Sequence, residues 1–330
     1  MGSQPVSDPI DAWTTRFLAE AAPRSKSLVV TVFGDAVAPR GGAVWLDGLI
    51  RVLAPFGVNE RLARTSLYRL GEEGWFESTR LGRRSLYRLT AWGARRFGHA
   101  YRRVYRAPAP RWDGAWTLVL LPPAAAGAAE RAGLRRELGW EGFGLVAPGL
   151  FARPAIDEAT LADILRALGL ERTAFALRAH DLPAVAARPA RELVAEGWDL
   201  ADLARDYAGF IERFAPLAAL LESGAEPDAA QAFRVRTLLI HAYRRVMLHD
   251  PQLPAELLPP DWPGQAAYEL CRGLYRRVVA PSEAYVDGAL EGERGALPAP
   301  AGALYDRFGG LTALDNIRRC SAPALAARSS

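Results

Sequence analysis

Three observations predict an α+β protein built from several folded parts. Two short segments with helical spacing are separated by Pro55 and Gly57, and two strand-like runs follow directly around Gly82. Farther on, strand-like "WTLVLLP", "FGLVAPGLFARP" and "TAFALRA" alternate with helical segments. An Ala-, Leu- and Arg-rich helical stretch then fills most of the remaining chain. The expected parts are an N-terminal arm (1–24), a winged helix-turn-helix (25–105), a proline-rich linker (106–113), a ferredoxin-like α/β domain (114–189), a mainly helical domain (190–318) and a polar tail (319–330).

In chain order, "AVWLDGLIRVLAPFG" has Trp45, Leu49, Ile50 and Leu53 on one helical face, and Pro55 and Gly57 stop that helix. Asn59 is placed to cap the next one, with Glu60 in its first turn, where the helix dipole favours an acid. This second helix is expected to end near Glu73, with Gly74 in the left-handed stop position. Helix, tight Pro/Gly turn and capped helix is helix-turn-helix spacing. Ala63, Leu67 and Leu70 share the side expected to face the core. Arg61, Arg64, Thr65 and Tyr68 share the opposite side, which reads as free of acids. "WFESTR" and "SLYRLT" flank "LGRR" as a hairpin with two arginines at its tip. Thr90 then caps the helix "AWGARRFGHAYRRVY".

Charge supports a function for that surface. The chain has 330 residues, a formal net charge of +4, 50% hydrophobic and 24% charged residues. Lys26 is the single lysine. Between Asn59 and Arg106 stand twelve arginines and four acids, a formal +8 that leaves −4 for the remainder. Segregated positive charge is the electrostatic footprint of a nucleic-acid surface. A recognition helix presents side chains to base edges in the major groove, where arginine bridges O6 and N7 of guanine. Wing arginines reach phosphates or the adjacent minor groove. The candidate DNA-binding residues are Asn59, Arg61, Arg64, Thr65, Tyr68, Arg69, Arg80, Arg83 and Arg84.

Other classes find little support. No apolar run reaches the roughly 18 residues of a membrane span, and the polar N-terminal segment has no apolar signal core. Cys271 and Cys320 cannot make a disulfide framework or a metal cluster, so a reducing cytoplasm is expected. The four histidines, His99, His180, His241 and His249, fall in no catalytic motif, and no Walker loop, dinucleotide fingerprint, G-x-S-x-G or H-E-x-x-H occurs. No enzymatic activity, cofactor or metal is expected.

Four ordered segments, "SLVVTVFGDAVAPRGGAVWL", "GVNERLARTSLYRLGEEGW", "GRRSLYRLT" and "DWPGQAAYELCRGLYRRVVAPSEAYVD", resemble the PaaX family, repressors of bacterial phenylacetate degradation. The resemblance implies an N-terminal winged helix, a middle ferredoxin-like domain similar to that of Cas2-type nucleases, and a C-terminal helical domain. It also implies a homodimer on double-stranded operator DNA, released when phenylacetyl-coenzyme A binds. It assigns operator contact to Asn59–Leu70 and the wing around Arg83. It makes "SLVVTVF" a helix, although its β-branched run reads as a strand. A related regulator answering another aromatic acyl-coenzyme A, and a DNA-binding protein without a ligand switch, are the alternatives. A metal-dependent nuclease is more remote, because the first strand of the middle domain ends in Leu120-Leu121-Pro122, without the acid such enzymes use.

In the C-terminal part, "HAYRRVML" sets His241, Arg244, Arg245 and Leu248 on one stripe, with Leu238, Leu239, Ala242 and Val246 free to pack inward. Arginines there could meet the phosphates of a coenzyme A thioester, and Trp262 its adenine or phenyl ring. Arg276 and Arg277 are equal candidates for the phosphates. The alternative is structural: a satisfied histidine, arginines paired to Glu269 or Asp261, and a core tryptophan.

Overall fold

The computed structural model describes residues 8–106, 111–154, 156–182 and 184–311. Part of the expected linker, the first seven residues of the arm, and the tail with Cys320 lie outside the described residues. The N-terminal elements are α1 (Pro9–Ala21), α2 (Ser25–Val32), β1 (Ala43–Trp45), α3 (Leu46–Leu53), α4 (Glu60–Glu72), β2 (Phe76–Leu81), β3 (Arg84–Leu89) and α5 (Ala91–Tyr105). Next come β4 (Ala115–Leu120), α6 (Ala128–Trp140), β5 (Gly144–Ala147), β6 (Leu150–Pro154), α7 (Glu158–Ala167), β7 (Phe175–His180) and α8 (Ala190–Gly197). The chain continues with α9 (Leu200–Glu222), α10 (Ala229–Met247), α11 (Gly264–Ala289), β8 (Glu291–Gly292), β9 (Gly295–Ala296) and α12 (Gly302–Tyr305).

Two compact units emerge. The described residues of Met1–Ala107, Phe210–Arg245 and Ala266–Ser330 form the first, and those of Pro108–Gly209 and Val246–Gln265 the second. The chain passes between them inside α9, near the end of α10 and in the first turn of α11.

In the first unit the order helix, strand, helix, helix, hairpin is the order a winged helix-turn-helix requires. The sheet runs β1-β3-β2, antiparallel throughout, with Val44 opposite Tyr87 and Thr79 opposite Leu86. "SLVVTVF" is helical, as the resemblance implied. Every residue from Leu28 to Phe33 is buried, and burial on all sides outweighs the strand preference of the β-branched run. A π-helical stretch, Phe33–Val37, continues the helix and turns Asp35 inward. The expectation that Trp45 belongs to the helical face is corrected. Ala43–Trp45 is the third strand of the sheet, and the Trp45 indole donates to the Gly292 carbonyl at 2.7 Å. Three residues are too few for a period to separate strand from helix.

Helix α1 packs Trp13 and Phe17 on Phe214 of α9, with ring centroids 5.5 and 5.3 Å apart. Below α2 and α5 lies a buried ionic network. Asp35 accepts from Arg236 of α10 at 2.6 Å, from Arg307 at 2.7 Å, and from the hydroxyls of Tyr105 and Tyr275. Glu283 of α11 accepts from Arg236 and Arg40. Burial pushes the Asp35 and Glu283 carboxyls up, and the surrounding guanidiniums more than offset it, so both stay below the usual carboxylate range. Every charge in the network has a partner of opposite sign, which makes its burial tolerable.

In the second unit the sheet order is β5-β6-β4-β7 with antiparallel neighbours, and its βαββαβ succession is ferredoxin-like. "FGLVAPGLFARP" is two strands, β5 and β6, joined at Gly149 with φ of 78°. Alternation along β4 serves both faces. Val119 and Leu121 join Leu134 and Leu138 of α6 and Leu161 and Leu165 of α7, whereas Trp116 meets Val194 of α8, Leu253 and Leu257. Leu120-Leu121-Pro122 ends β4 without an acid, and no cluster of three or more metal-ligating side chains occurs among the described residues. No described helix is long and apolar enough to cross a membrane.

Candidate nucleic-acid interface

Helix α4 is the exposed centre of the basic segment. The Asn59 side chain accepts from the Leu62 amide at 2.9 Å and so caps the helix. The chain leaves the helix through Gly74, with φ of 77°. Ala63, Leu67 and Leu70 are fully buried, as their spacing predicts. Arg61, Arg64, Thr65, Tyr68 and Arg69 are exposed. Tyr68 is 67% exposed, far more than a packing role requires. This row of cations, a hydroxyl and an aromatic ring on a helix anchored from behind suits base edges and phosphates alike.

The wing is a hairpin whose tip turns at Gly82, with φ of 63°. Arg80 and Arg83 are exposed there, and Arg80 donates to the Gly82 carbonyl at 3.3 Å. Between α3, α4 and the wing lies a groove of ≈ 480 Å³ lined by Leu46, Asp47, Ile50, Glu60, Arg64, Arg80, Arg83, Arg84 and Ser85. Four arginines thus converge on one concavity from a helix and a hairpin.

Two expectations about this surface need correction. The outer face of α4 is not free of acids, because Glu60 accepts from the Arg64 Nε at 2.8 Å. The two residues are four apart and meet on the helix surface. Such exposed pairs are worth only about 0.3–0.5 kcal/mol, so a phosphate can displace the carboxylate. Arg84 is not a free tip residue either. It begins β3, lies over the Trp45 ring with its guanidinium carbon 4.4 Å from the centroid, and donates to Asp47 at 3.0 Å and Glu291 at 3.1 Å. Its hydrogen bond to Asp47 raises its pKa. Arg88 is similarly held by Glu293 at 2.7 Å. The β8–β9 hairpin therefore sets two carboxylates against the base of the wing. "EGERG" carries those acids, yet nothing in the sequence ties them to arginines some two hundred residues earlier.

The candidates for effector contact are distributed differently from the expected single stripe. His241 is buried, with Nδ1 3.1 Å from the Thr31 hydroxyl. Burial, then the neighbouring Arg244 and Arg245, pull its pKa down to about 3. It points inward because α2 packs there, which the spacing of α10 alone does not reveal. Arg244 donates to the Ser27 hydroxyl at 3.0 Å and Arg245 is exposed. On α11, Arg276 donates to the Gly310 carbonyl at 2.7 Å and Arg277 to the Leu221 carbonyl at 2.6 Å. Trp262 belongs to the second unit, where it meets Tyr207 edge to face, with ring centroids 5.8 Å apart.

The fold and this surface define the class: a two-unit protein whose first unit carries two helices joined by a tight turn, an antiparallel hairpin and an arginine-lined groove, and whose second is a Cas2-like ferredoxin fold. Three family models match in succession: the PaaX-like protein over 24–93, the PaaX protein central Cas2-like domain over 109–194, and the PaaX-like protein C-terminal domain over 198–288. The chain is 40% identical to the transcriptional repressor PaaX of Escherichia coli (strain K12) over 286 residues, 86% of this chain and 90% of that one. A solved structure of an uncharacterized protein, Rv0674 from Mycobacterium tuberculosis, is 26% identical and aligns over 71% of this chain and 89% of its own with a TM-score of 0.45. The chain belongs to the PaaX family.

Proposed function

We propose that this protein is a DNA-binding transcriptional repressor of aromatic catabolism genes, acting in the cytoplasm as a homodimer on double-stranded operator DNA. The observation that carries this reading is the exposed α4 face beside the arginine-lined groove. In this reading residues 25–105 are the winged helix-turn-helix. Arg61, Arg64, Thr65, Tyr68 and Arg69 lie toward the major groove, and Arg80 and Arg83 take phosphates. Asn59 serves the interface by fixing the start of α4. Arg84 joins only after exchanging Asp47 and Glu291 for phosphate oxygens.

The proposed effector is phenylacetyl-coenzyme A, which relieves repression by binding the DNA-incompetent arrangement more tightly than the competent one. The family likeness supports an acyl-coenzyme A ligand, and arginines of α10 and α11 are the proposed contacts. A mobility-shift titration on the DNA upstream of the protein's own operon tests both parts. The expected result is a discrete complex that dissociates with phenylacetyl-coenzyme A and not with free phenylacetate. A complex released only by a different aromatic thioester reassigns the effector. A complex insensitive to every thioester removes the ligand switch, and no preference over scrambled duplex defeats the repressor reading.

A further inference from the structure

The chain that follows α11 is fastened beside β1 without help from its own charges. Leu290 and Leu297, on either side of the β8–β9 hairpin, are buried. The Trp45 indole donates to the Gly292 carbonyl at 2.7 Å. Buried Arg40 grips the chain before and after the hairpin: it donates to Asp287 at 2.6 Å and to the Pro298 carbonyl at 3.4 Å. The Ala301 amide donates to the Pro39 carbonyl at 2.8 Å. The backbone of α3 comes so near the end of α11 that a Cβ at Gly48 would lie 3.2 Å from the Ala289 carbonyl. Backbone contacts, two leucines and one arginine therefore fix the place of the hairpin.

Its two carboxylates do something else. Glu291 meets Arg84 at 3.1 Å and Glu293 meets Arg88 at 2.7 Å. Neither arginine needs them for position. Arg84 already lies over the Trp45 ring and donates to Asp47 at 3.0 Å. Arg88 is paired within the sheet, opposite Ala43 on one side and Glu77 on the other, with the Glu77 carboxylate 4.0 Å from its Nε. Adding Glu291 and Glu293 sets four carboxylates on two guanidiniums, a formal −2. All four side chains of the hairpin pairs are half-exposed, so these pairs contribute little to stability. Their charge still acts on whatever approaches, over a range of about 10 Å at 0.1 M salt. Arg84 lines the groove with Arg64, Arg80 and Arg83, so the excess negative charge stands at the edge of the surface proposed to meet phosphates.

We propose that the β8–β9 hairpin is an autoinhibitory brake on DNA binding, in which Glu291 and Glu293 stand in for phosphates on Arg84 and Arg88 and weaken the hold of the wing on any duplex. The brake acts on the DNA surface proposed above and rests on that reading. A carboxylate and a phosphate diester each offer a guanidinium one negative charge and two acceptor oxygens, so one can replace the other. Like charges set against an approaching partner lower its affinity without reading its sequence. The brake therefore acts equally on operator and random duplex, and base preference stays with α4.

The test is a DNA titration of the full chain at several salt concentrations, on upstream DNA and on a scrambled duplex. It compares wild type with the double variant Glu291→Gln/Glu293→Gln, and repeats the pair of substitutions in an Arg84→Ala/Arg88→Ala background. Glutamine keeps the shape and removes the charge, so the double variant should melt close to wild type. It should bind both duplexes about three- to tenfold tighter at low salt, with a log–log salt slope steeper by about 1 and an unchanged ratio between them. In the background without the two arginines no new phosphate contact can form, so the glutamines should leave the slope where it was. A double variant that binds no tighter than wild type overturns the brake. So does a gain of the same size and slope without Arg84 and Arg88, or melting well below wild type with no gain in affinity, which would make the pairs fasteners of the fold. If neither wild type nor the double variant binds either duplex, the DNA-binding reading falls together with the brake; a wild type that binds beside a variant that gains nothing defeats the brake alone.

Discussion

At the residue scale, His241 shows how burial sets the protonation state of a side chain expected on an exposed stripe. Its neighbours are Thr31 and two arginines, so the neutral ring is the form the fold accepts. The folded pKa lies near 3, below the ordinary 6.5. Protons therefore bind the unfolded chain first as pH falls. Stability that is complete above about pH 6.5 is lost toward pH 3, at roughly 1.4 kcal/mol per pH unit inside that window. Denaturant unfolding between pH 7 and 5 should show that slope in wild type and a flatter one in His241→Gln. Parallel curves would mean that His241 titrates as it does in the unfolded chain. The sequence contains no sign of this environment, because Thr31 is 210 residues away.

At the scale of elements, local chemistry was legible and long-range pairing was not. Asn59, Thr90, Gly74 and Gly82 fix helix starts, a helix stop and a turn through contacts within a few residues, and each stands where that chemistry requires. The buried side of α4 follows from its spacing alone. The outer side does not: Glu60 reaches Arg64 through the same helical periodicity, but whether a carboxylate faces its neighbour or solvent is a choice of rotamer. The β1 strand, the acid-bearing β8–β9 hairpin over Arg84 and Arg88, and the Asp35 network all join residues far apart in sequence. Nothing in "VFGDAVAP" marks Asp35 as a buried group, yet the π-helical turn aims it at two arginines. Asp35→Asn would leave Arg236 and Arg307 buried without their shared counter-charge and should cost about 3–5 kcal/mol. Chemical denaturation measures this directly, and a loss below 1 kcal/mol would show that the network does not hold α2 against α10.

At the scale of the whole molecule, family membership gives the order of parts along the chain, and physical chemistry gives the first unit its surface. The positive charge gathered between Asn59 and Arg106 is only partly neutralised: Asp47, Glu291 and Glu293 quench the base of the wing, whereas Arg61, Arg80 and Arg83 make no ion pair within the described residues. In the proposed reading the base-reading and phosphate-holding roles fall on different residues, which one measurement can resolve. That measurement is fluorescence-anisotropy titration of operator and scrambled duplex over a range of salt concentrations with wild type, Arg64→Ala and Arg83→Ala. Arg64→Ala should lose about 1–3 kcal/mol on operator and much of its preference over scrambled DNA; Arg83→Ala should weaken both duplexes alike and reduce the log–log salt slope by about 1. Superimposable curves for all three proteins would contradict the assignment of α4 and the wing as the surface that meets DNA.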